Sequence, residues 1–159
     1  MKQYTLLKSE TVYRGVVFDV RLDTVVIPNG KTVTRDIVIH SGAVIIVPRD
    51  ADGKFMMVQQ YRHAVGHSML EFPAGTLEIG EQPLACAQRE LIEEVGHSAK
   101  NWQSLGTLYP APGFANEIQH LFFATELTPD TAPGDEDEII EVVSFSAEEI
   151  KAAIKISKL

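Results

Sequence analysis

The sequence predicts an α+β fold in which helices cover both sides of a mixed β-sheet. Three features point to this class: β-rich segments fill most of the chain, two helical segments interrupt them, and a short apolar run has the length of a buried strand. Elements of both kinds bury their apolar faces well in an α/β/α layer arrangement. A chain of 159 residues has the length of one domain with its own core. We expect a single domain made of an N-terminal β region, residues 1–40, and a core, residues 41–159.

The composition and charge of the chain indicate what kind of protein it is and which partners are disfavoured. The chain is 45% hydrophobic and 23% charged, as in ordinary globular proteins, and its formal net charge of −8 without a basic run disfavours nucleic acid. No apolar run reaches the roughly 18 residues of a membrane span, and the N-terminus lacks the apolar core of a secretory signal. Cys86 is the single cysteine, so an intramolecular disulfide is excluded. We expect a cytoplasmic protein that binds neither nucleic acid nor membranes.

The N-terminal region is predicted to form antiparallel strands. Residues 15–27 and 31–40 are rich in β-branched side chains and flank "PNG" at positions 28–30, which is a strong hairpin signal. The first forty residues read as strands and would leave a sheet edge exposed. We therefore expect this region to need a covering partner.

The remaining strands are predicted from apolar runs. Residues 42–48 ("GAVIIVP") form a continuous apolar run, typical of a strand that is buried on both faces. A turn at residues 50–53 then leads into a strand at residues 54–62. Further strands are expected at residues 102–110, 118–127 and 139–145.

Two helices are predicted from their end signals and periodicity. The first runs from about Pro83 to Val95, since proline suits the first helical position and Gly96 suits the position just past the end. The second begins at Ser146, where Glu149 completes a capping box. At helical periodicity the first helix presents an apolar side formed by Leu84, Ala87, Leu91 and Val95.

A cluster of carboxylates lies beside that apolar side. Glu90 is three and four positions from Glu93 and Glu94, so the three side chains share one face of the helix. Like charges so close together repel each other, and either water or a cation must solvate them. A hard divalent cation such as Mg²⁺ takes oxygen ligands, and Glu90 and Glu94 offer two carboxylates one turn apart. Arg89 can pair with Glu93 at the following turn and hold the carboxylates in place.

A glycine loop before the helix adds to this cluster. Gly75 and Gly80 let the backbone bend and let carbonyl groups point inward. A carbonyl group near Ala74 could therefore add a further oxygen ligand. Because the acids are tied to this loop at fixed distances, a solvated acidic face is less favoured than for an isolated pair of glutamates, and both interpretations stay open from the residues alone.

The spacing of these residues resembles the signature of the Nudix hydrolases. The matching positions are Gly75, Glu81, Arg89, Glu90, Leu91, Glu93, Glu94 and Gly96. His97 departs from the family, which has an aliphatic or aromatic residue at this packing position. The segments "HSGAVIIVP", "QQYRHAVGHSMLEFPAG", "LYPAPGFANE" and "GDEDEIIEVVSFS" resemble the ADP-ribose pyrophosphatase branch. The resemblance covers about residues 15–150 and implies the Nudix fold, an α/β/α sandwich with a mixed central sheet.

The resemblance implies metal-dependent hydrolysis of the diphosphate bond in a nucleoside diphosphate that is linked to another moiety. ADP-ribose, cleaved to AMP and ribose 5-phosphate, is the first expectation, and nucleotide sugars such as GDP- or UDP-hexoses are the alternative. Metal ions must lie between the carboxylates and the anionic substrate. We expect Mg²⁺, with Mn²⁺ as a substitute, to be bound by Ala74, Glu90 and Glu94. Glu93 either shares a second ion or only orients Arg89.

The other site residues are carried over from the same branch. A general base must take a proton from the attacking water, and Glu136, Glu138 and Glu117 are the candidates, with Glu136 first by alignment of the acidic loop. Glu93 is a further catalytic candidate. The guanidinium group of Arg62 suits bidentate phosphate contact. The expected substrate-binding residues are Arg35, Asp36, Arg62, Glu71, Pro112, Phe114 and Glu117.

Other functions of proteins with this signature fit the sequence less well. The segment with Pro112 and Glu117 argues against nucleoside triphosphate hydrolysis, and the intact glutamates argue against a disabled ADP-ribose sensor. RNA decapping is disfavoured by the acidic charge balance. Members of the branch commonly cover the N-terminal edge with the same segment of a second subunit, so we expect a homodimer with self-complementary contacts. Arg35 and Asp36 would then approach the substrate of the partner subunit.

Overall fold

The computed structural model describes residues 3–132 and 139–155, and this part of the chain forms ten strands and two helices. The elements in chain order are β1 (Thr5–Arg14), β2 (Asp19–Val26), β3 (Thr32–Ile39), β4 (Ala43–Pro48), β5 (Phe55–Arg62), β6 (His67–Glu71), β7 (Ala74–Thr76), α1 (Pro83–Val95), β8 (His97–Leu108), β9 (Gln119–Pro129), β10 (Ile140–Phe145) and α2 (Ala147–Lys155). The predicted α+β class, with a mixed sheet and an antiparallel N-terminal sheet, is confirmed. No described helix is both long and apolar enough to span a bilayer.

The chain divides into two compact units, of which the first is Met1–Gly42 with Leu108–Gln119. Its strands form one antiparallel sheet in the order β1-β2-β3. The predicted hairpin between β2 and β3 is confirmed: the N–H of Gly30 donates to the carbonyl of Ile27 at 2.9 Å, and the N–H of Ile27 donates to Lys31 at 2.9 Å. Gly30 has φ of 86°, a conformation that favours glycine.

β1 stands out in the first unit because every one of its residues is exposed. Large apolar side chains are among them, including Leu6 and Tyr13, each 55% exposed. The pairing of β1 with β2 shifts register twice, and such bulges are a common feature of strands at a sheet edge. β1 is therefore an edge strand with uncovered apolar side chains.

The second unit, Ala43–Thr107 with His120–Leu159, contains the core. One sheet has the order β7-β4-β9-β8 and the other has the order β10-β5-β6. The expectation that residues 42–48 are buried on both faces is only partly met, because full burial alternates along β4. The buried apolar cluster consists of Val44, Ile46, Val58, Cys86, Ala87, Leu91, Val95, Phe122 and Ala124.

The first helix agrees with its predicted limits. α1 begins at Pro83 and ends at Val95, and Gly96 adopts φ of 70° while its N–H donates to the carbonyl of Ile92. Leu84, which periodicity places on the apolar side of the helix, is 41% exposed, unlike the buried Ala87, Leu91 and Val95. Side chains lean toward the N-terminus of a helix, so one in the first turn projects beyond the helix end.

The second helix carries the predicted cap. The N–H of Ser146 donates to the carboxylate of Glu149 at 2.7 Å, and the N–H of Glu149 donates to the hydroxyl of Ser146 at 3.3 Å. This reciprocal pair is the capping box that the sequence predicts. It fixes the point where α2 begins, directly after β10.

Two predictions about strands need correction. β8 begins at His97, before the predicted residue 102, and the short strands β6 and β7 have no counterpart in the sequence prediction. β7 contains Gly75 and follows Pro73 closely in the sequence. Glycine and proline are uncommon inside strands, so the composition of this segment does not predict a strand. Both short strands are formed by pairing with longer ones, β6 with β5 and β7 with β4.

Candidate active site

The centre of the acidic cluster is the guanidinium group of Arg89 on α1. Its Nε and Nη2 atoms donate to the two carboxylate oxygens of Glu81, each at 3.1 Å. Its Nη1 atom donates to Glu90 Oε1 at 2.6 Å and to Glu93 Oε2 at 2.9 Å. The predicted pairing of Arg89 with Glu93 is confirmed, and one cation lies among three carboxylates.

The pairing of Arg89 with Glu81 keeps both groups charged. The hydrogen bonds from Arg89 lower the pKa of Glu81 to about 2, against an opposing effect of burial. The same contact with Glu81 raises the pKa of Arg89, and Glu90 and Glu93 raise it further. Glu81 lies before the helix, so this ion pair ties the loop between β7 and α1 to the helix.

The carboxylate of Glu90 is packed directly against the backbone of Gly75 in β7. The side chain of Glu90 is buried, with 9% of the residue exposed. A Cβ atom on Gly75 would lie 1.9 Å from Glu90 Cδ and 2.0 Å from Glu90 Oε1. Glycine is therefore required at position 75 by the space that the carboxylate occupies.

Glu94, one turn further along α1, is bound by a backbone N–H group of β7. This residue is 8% exposed, and its Oε2 atom accepts a hydrogen bond from the N–H of Ala74 at 3.0 Å. Ala74 is paired with Ile45 of β4, so the donor belongs to a sheet. The sequence placed a carbonyl group of Ala74 near the cluster, and the structure shows the N–H of this residue bound to Glu94.

Cys86 lies beneath the same cluster. Its thiol donates to the carbonyl oxygen of Thr76 at 3.6 Å and accepts from Arg89 Nη2 at 3.4 Å. Burial, followed by the charge of Glu81, raises the pKa of the Cys86 thiol to about 12. The thiol is neutral at physiological pH and is not a nucleophile.

Two further residues of the expected site meet in the second unit. Arg62 at the end of β5 and Glu71 at the end of β6 form a bidentate ion pair, with Nε–Oε1 at 2.9 Å and Nη2–Oε2 at 2.8 Å. The sequence named both residues as substrate contacts but did not predict that they bind each other.

The expected site residues of the first unit lie on β3 and on the segment that follows β8. Arg35 and Asp36 are both exposed, and successive residues of a strand point to opposite faces. Their side chains therefore project from opposite faces of β3, and contact of either one with a substrate stays a prediction.

The segment with the remaining three residues is bound to β3 within that unit. The carbonyl oxygen of Phe114 accepts a hydrogen bond from the N–H of Val38 at 2.7 Å. Pro112 and Phe114 are exposed, and Glu117 accepts a hydrogen bond from the side chain of Gln119 at 2.9 Å. Two candidate bases, Glu136 and Glu138, lie outside the described residues.

Comparison with known proteins places this site in a family. Residues 39–158 match the family described as NUDIX domain, and residues 4–38 match the nucleoside diphosphate sugar hydrolase N-terminal domain. The chain belongs to the Nudix hydrolases. The resemblance stated from the sequence is thereby confirmed.

Relatives of this Nudix hydrolase extend along nearly its whole length. The ADP-ribose pyrophosphatase of Bacillus subtilis (strain 168) is 40% identical over 151 residues, which are 94% of this chain and 81% of that protein. The methanol dehydrogenase activator of Bacillus methanolicus is 39% identical over 155 residues, 96% of this chain and 84% of that protein. The crystal structure of an ADP compounds hydrolase superposes with a TM-score of 0.86 at 27% identity, covering 98% of this chain and 84% of that one.

Nudix hydrolases generally need a divalent metal ion, and the acidic cluster fits such an ion. In residues 3–132 and 139–155, no group of three or more His, Cys, Asp or Glu side chains is already arranged to hold a metal ion. The donors present are nonetheless the carboxylate oxygens that Mg²⁺ prefers. Glu90 and Glu94 are buried, and the missing side chain at Gly75 leaves the space in which Glu90 lies.

The sequence interpretation named Glu81 as part of the signature but gave it no partner. Glu81 precedes α1, so helical periodicity cannot relate it to Arg89. The pairing depends on how the loop after β7 returns to the helix. The Arg62–Glu71 pair depends in the same way on the β5–β6 register.

Proposed function

We propose that this Nudix hydrolase cleaves ADP-ribose at its diphosphate bond and releases AMP and ribose 5-phosphate, with Mg²⁺ as cofactor and Mn²⁺ as a substitute. The observation that carries this proposal is the pair of buried carboxylates, Glu90 and Glu94, fixed between β7 and α1. The likeness to an ADP-ribose pyrophosphatase along 94% of the chain supports the choice of substrate.

The carboxylates supply the metal site in this proposal. Glu90 and Glu94 would hold the ion together with the carbonyl group of Ala74, and Glu93 either shares a second ion or orients Arg89. A divalent ion bound there polarises the phosphoryl oxygens and makes a bound water more acidic. The protein fixes the two main carboxylates differently, with Arg89 bound to Glu90 and the Ala74 N–H bound to Glu94.

The substrate diphosphate needs cationic partners in addition to metal. Arg62 is the proposed phosphate contact because its planar guanidinium group matches phosphate oxygens. Arg35 and Asp36 would contact the terminal ribose or a phosphate of the partner subunit's substrate, and Pro112, Phe114 and Glu117 are the further proposed substrate contacts. Phe114 is 57% exposed, which leaves its ring accessible for stacking on a base.

A general base must take the proton of the attacking water. Glu136 is proposed for this role because the acidic segment before β10 resembles the segment that delivers a catalytic glutamate in the ADP-ribose pyrophosphatase branch. Glu138 and Glu117 are the alternatives. Glu117 has one carboxylate oxygen bound by Gln119, which restricts its side chain.

The proposed assembly is a homodimer of single-domain subunits in the cytoplasm, in which residues 1–40 of the two subunits cover each other. The support is β1, whose residues are all exposed although several are large and apolar. Light scattering after size-exclusion chromatography should give twice the monomer mass of 17.6 kDa at micromolar concentration. Deletion of residues 1–40 should abolish association and activity together, whereas a fully active monomer would contradict the shared-site proposal.

The experiment that tests the substrate is a panel of diphosphate compounds. ADP-ribose, GDP-mannose, UDP-glucose, a dinucleoside polyphosphate and a dNTP are assayed with Mg²⁺ and then with Mn²⁺. ADP-ribose should give the highest kcat/KM, with AMP and ribose 5-phosphate as products. A higher value for a nucleotide sugar would establish the alternative, nucleotide-sugar diphosphatase activity, and the absence of turnover would leave an ADP-ribose-binding module.

A further inference from the structure

The ion pair between Arg62 and Glu71 uses both oxygens of the glutamate. Arg62 Nε donates to Oε1 at 2.9 Å and Nη2 donates to Oε2 at 2.8 Å, so the two planar groups meet along parallel hydrogen bonds. The pair is partly shielded from water, with side-chain exposures of 38% for Arg62 and 24% for Glu71. Bidentate pairs of this kind fix orientation as well as distance.

The strand register shows how far the pair reaches. Arg62 is opposite His67 in the β5–β6 ladder, whereas Glu71 is opposite Val58. The row formed by Gln60 and Met69 lies between these two rows, on the same face of the sheet. The ion pair therefore crosses that row diagonally and connects the end of β5 to the end of β6.

Gln60, in the row between the two residues of the pair, is buried. Gln60 is 9% exposed, and among the described residues its Oε1 atom has no hydrogen-bond donor. A buried side chain in this position packs on the core side of β5, where Val58 belongs to the apolar cluster. Arg62 thus extends along the same face of β5 as Gln60 and Val58, and its guanidinium group is bound by the Glu71 carboxylate.

The chemistry of Glu71 excludes it as a direct contact of the diphosphate. A carboxylate only accepts hydrogen bonds, as phosphate oxygens do, and two anions repel each other. Both oxygens of Glu71 already accept N–H groups of Arg62. A further contact of Glu71 would need a hydrogen-bond donor on the substrate, and the ionised diphosphate has none.

We propose that Glu71 is a positioning residue: it sets the plane of the Arg62 guanidinium so that the group meets a substrate phosphate, and Glu71 itself does not touch the substrate. This assigns Glu71 a role different from the substrate contact expected from the sequence. The inference rests on the proposed function only in so far as Arg62 binds a phosphate of a nucleoside diphosphate.

A double-mutant cycle in KM tests this role, using whichever panel substrate the wild-type protein cleaves best. Glu71→Gln should raise KM about tenfold, the scale of a lost charge-assisted hydrogen bond, and change kcat less than about twofold. Arg62→Ala should raise KM at least as much. In the Arg62→Ala background, Glu71→Gln should add no further change, because its effect passes through Arg62. Effects that multiply in the double variant would overturn the proposal.

Two further variants separate positioning from loss of folding or of surface charge. Glu71→Asp keeps the charge but shortens the side chain, so it should raise KM while leaving the pH profile of kcat unchanged. Glu126→Gln removes the same charge from the exposed ion pair with Lys100 and should leave KM as in wild type. An equal rise of KM in Glu126→Gln would show a general charge effect and would overturn the assignment.

A binding measurement keeps the inference distinct from the proposed function. The same cycle is run in the Kd of ADP, measured by calorimetry with Mg²⁺ present so that the acidic cluster does not repel the diphosphate. If no panel compound is hydrolysed but the cycle still shows that Glu71→Gln acts only through Arg62, the proposed function fails and the positioning role stands. If ADP binds and Glu71→Gln leaves its Kd unchanged, the positioning role is overturned, and it is overturned as well if the wild-type protein does not bind ADP.

Discussion

Substitution of Gly75 by alanine tests whether the buried Glu90 carboxylate is part of the active site. A Cβ atom at position 75 would lie 1.9 Å from Glu90 Cδ, and ordinary contact begins near 3.4 Å. The carboxyl group must therefore move by at least about 1.5 Å. Gly75 does not have the positive φ that alanine disfavours, so the change acts through this clash rather than through backbone strain.

The displacement should affect activity and stability together. Moving Glu90 breaks its 2.6 Å hydrogen bond with Arg89 and misplaces a proposed metal ligand. A shift of about 1 Å at a reacting group can lower the rate about a hundredfold, so we expect kcat to fall by at least that factor. Loss of one charge-assisted hydrogen bond costs about 1.5–3 kcal/mol, which corresponds to a fall in Tm of roughly 3–12 °C.

The assay compares kcat and Tm in Gly75→Ala, Gly53→Ala, Glu90→Ala and the double variant that combines Glu90→Ala with Gly75→Ala. Gly53→Ala is the control for stability, because Gly53 has φ of 82° in an exposed turn and a Cβ there has no neighbour within 4 Å. It should lower Tm and leave kcat unchanged. In the Glu90→Ala background the clash is absent, so Gly75→Ala should cause little further loss of Tm. Gly75→Ala with wild-type kcat and Tm would refute the reasoning.

The remaining predictions concern the other acidic groups. Glu94→Gln should keep the fold and lower kcat at least about a hundredfold, because the charge that would hold a cation is removed; full activity at saturating Mg²⁺ contradicts this assignment. Glu136→Gln should lose turnover while calorimetry still detects substrate binding, and Glu138→Gln should lose less. If Glu136→Gln has wild-type turnover and Glu117→Gln is inactive, the general base is Glu117 rather than Glu136. Glu81 has a folded-state pKa of about 2 against an ordinary value of 4.5, so its stabilisation is fully present above about pH 4.5 and is lost as pH falls toward 2. Urea unfolding across this range should show a smaller loss of stability in Glu81→Gln than in wild type, and equal losses would contradict the assignment.

The helix that carries the site could be predicted because its signals are local. Pro83 and Gly96 mark the two ends through backbone properties of single residues, and the structure has the same limits. The face shared by Glu90 and Glu94 follows from helical periodicity alone. Predictions of this kind need no knowledge of the partners on which the helix packs.

Contacts between residues that are distant in sequence could not be predicted in the same way. Glu81 meets Arg89 only because the loop after β7 brings it back to the helix, and Arg62 meets Glu71 only in one register of β5 and β6. The continuous apolar run predicted that β4 is buried on both faces, whereas full burial alternates along it. An apolar run does not reveal which segments cover each face of a strand. Pairing partners, rather than composition, decide these features.

The question raised by three glutamates on one turn has a physical answer in the resting protein. Buried like charges are destabilising unless a counter-charge or hydrogen bonds compensate them. Arg89 supplies the counter-charge for Glu81, Glu90 and Glu93, and the backbone of β7 supplies an N–H to Glu94. Because Arg89 bonds Glu90 Oε1 itself, an ion bound there must share that oxygen or use the second one. Arg89 thus makes the burial of the cluster tolerable before any metal is bound, and we infer that its loss would destabilise the metal-free protein more than the metal-bound one.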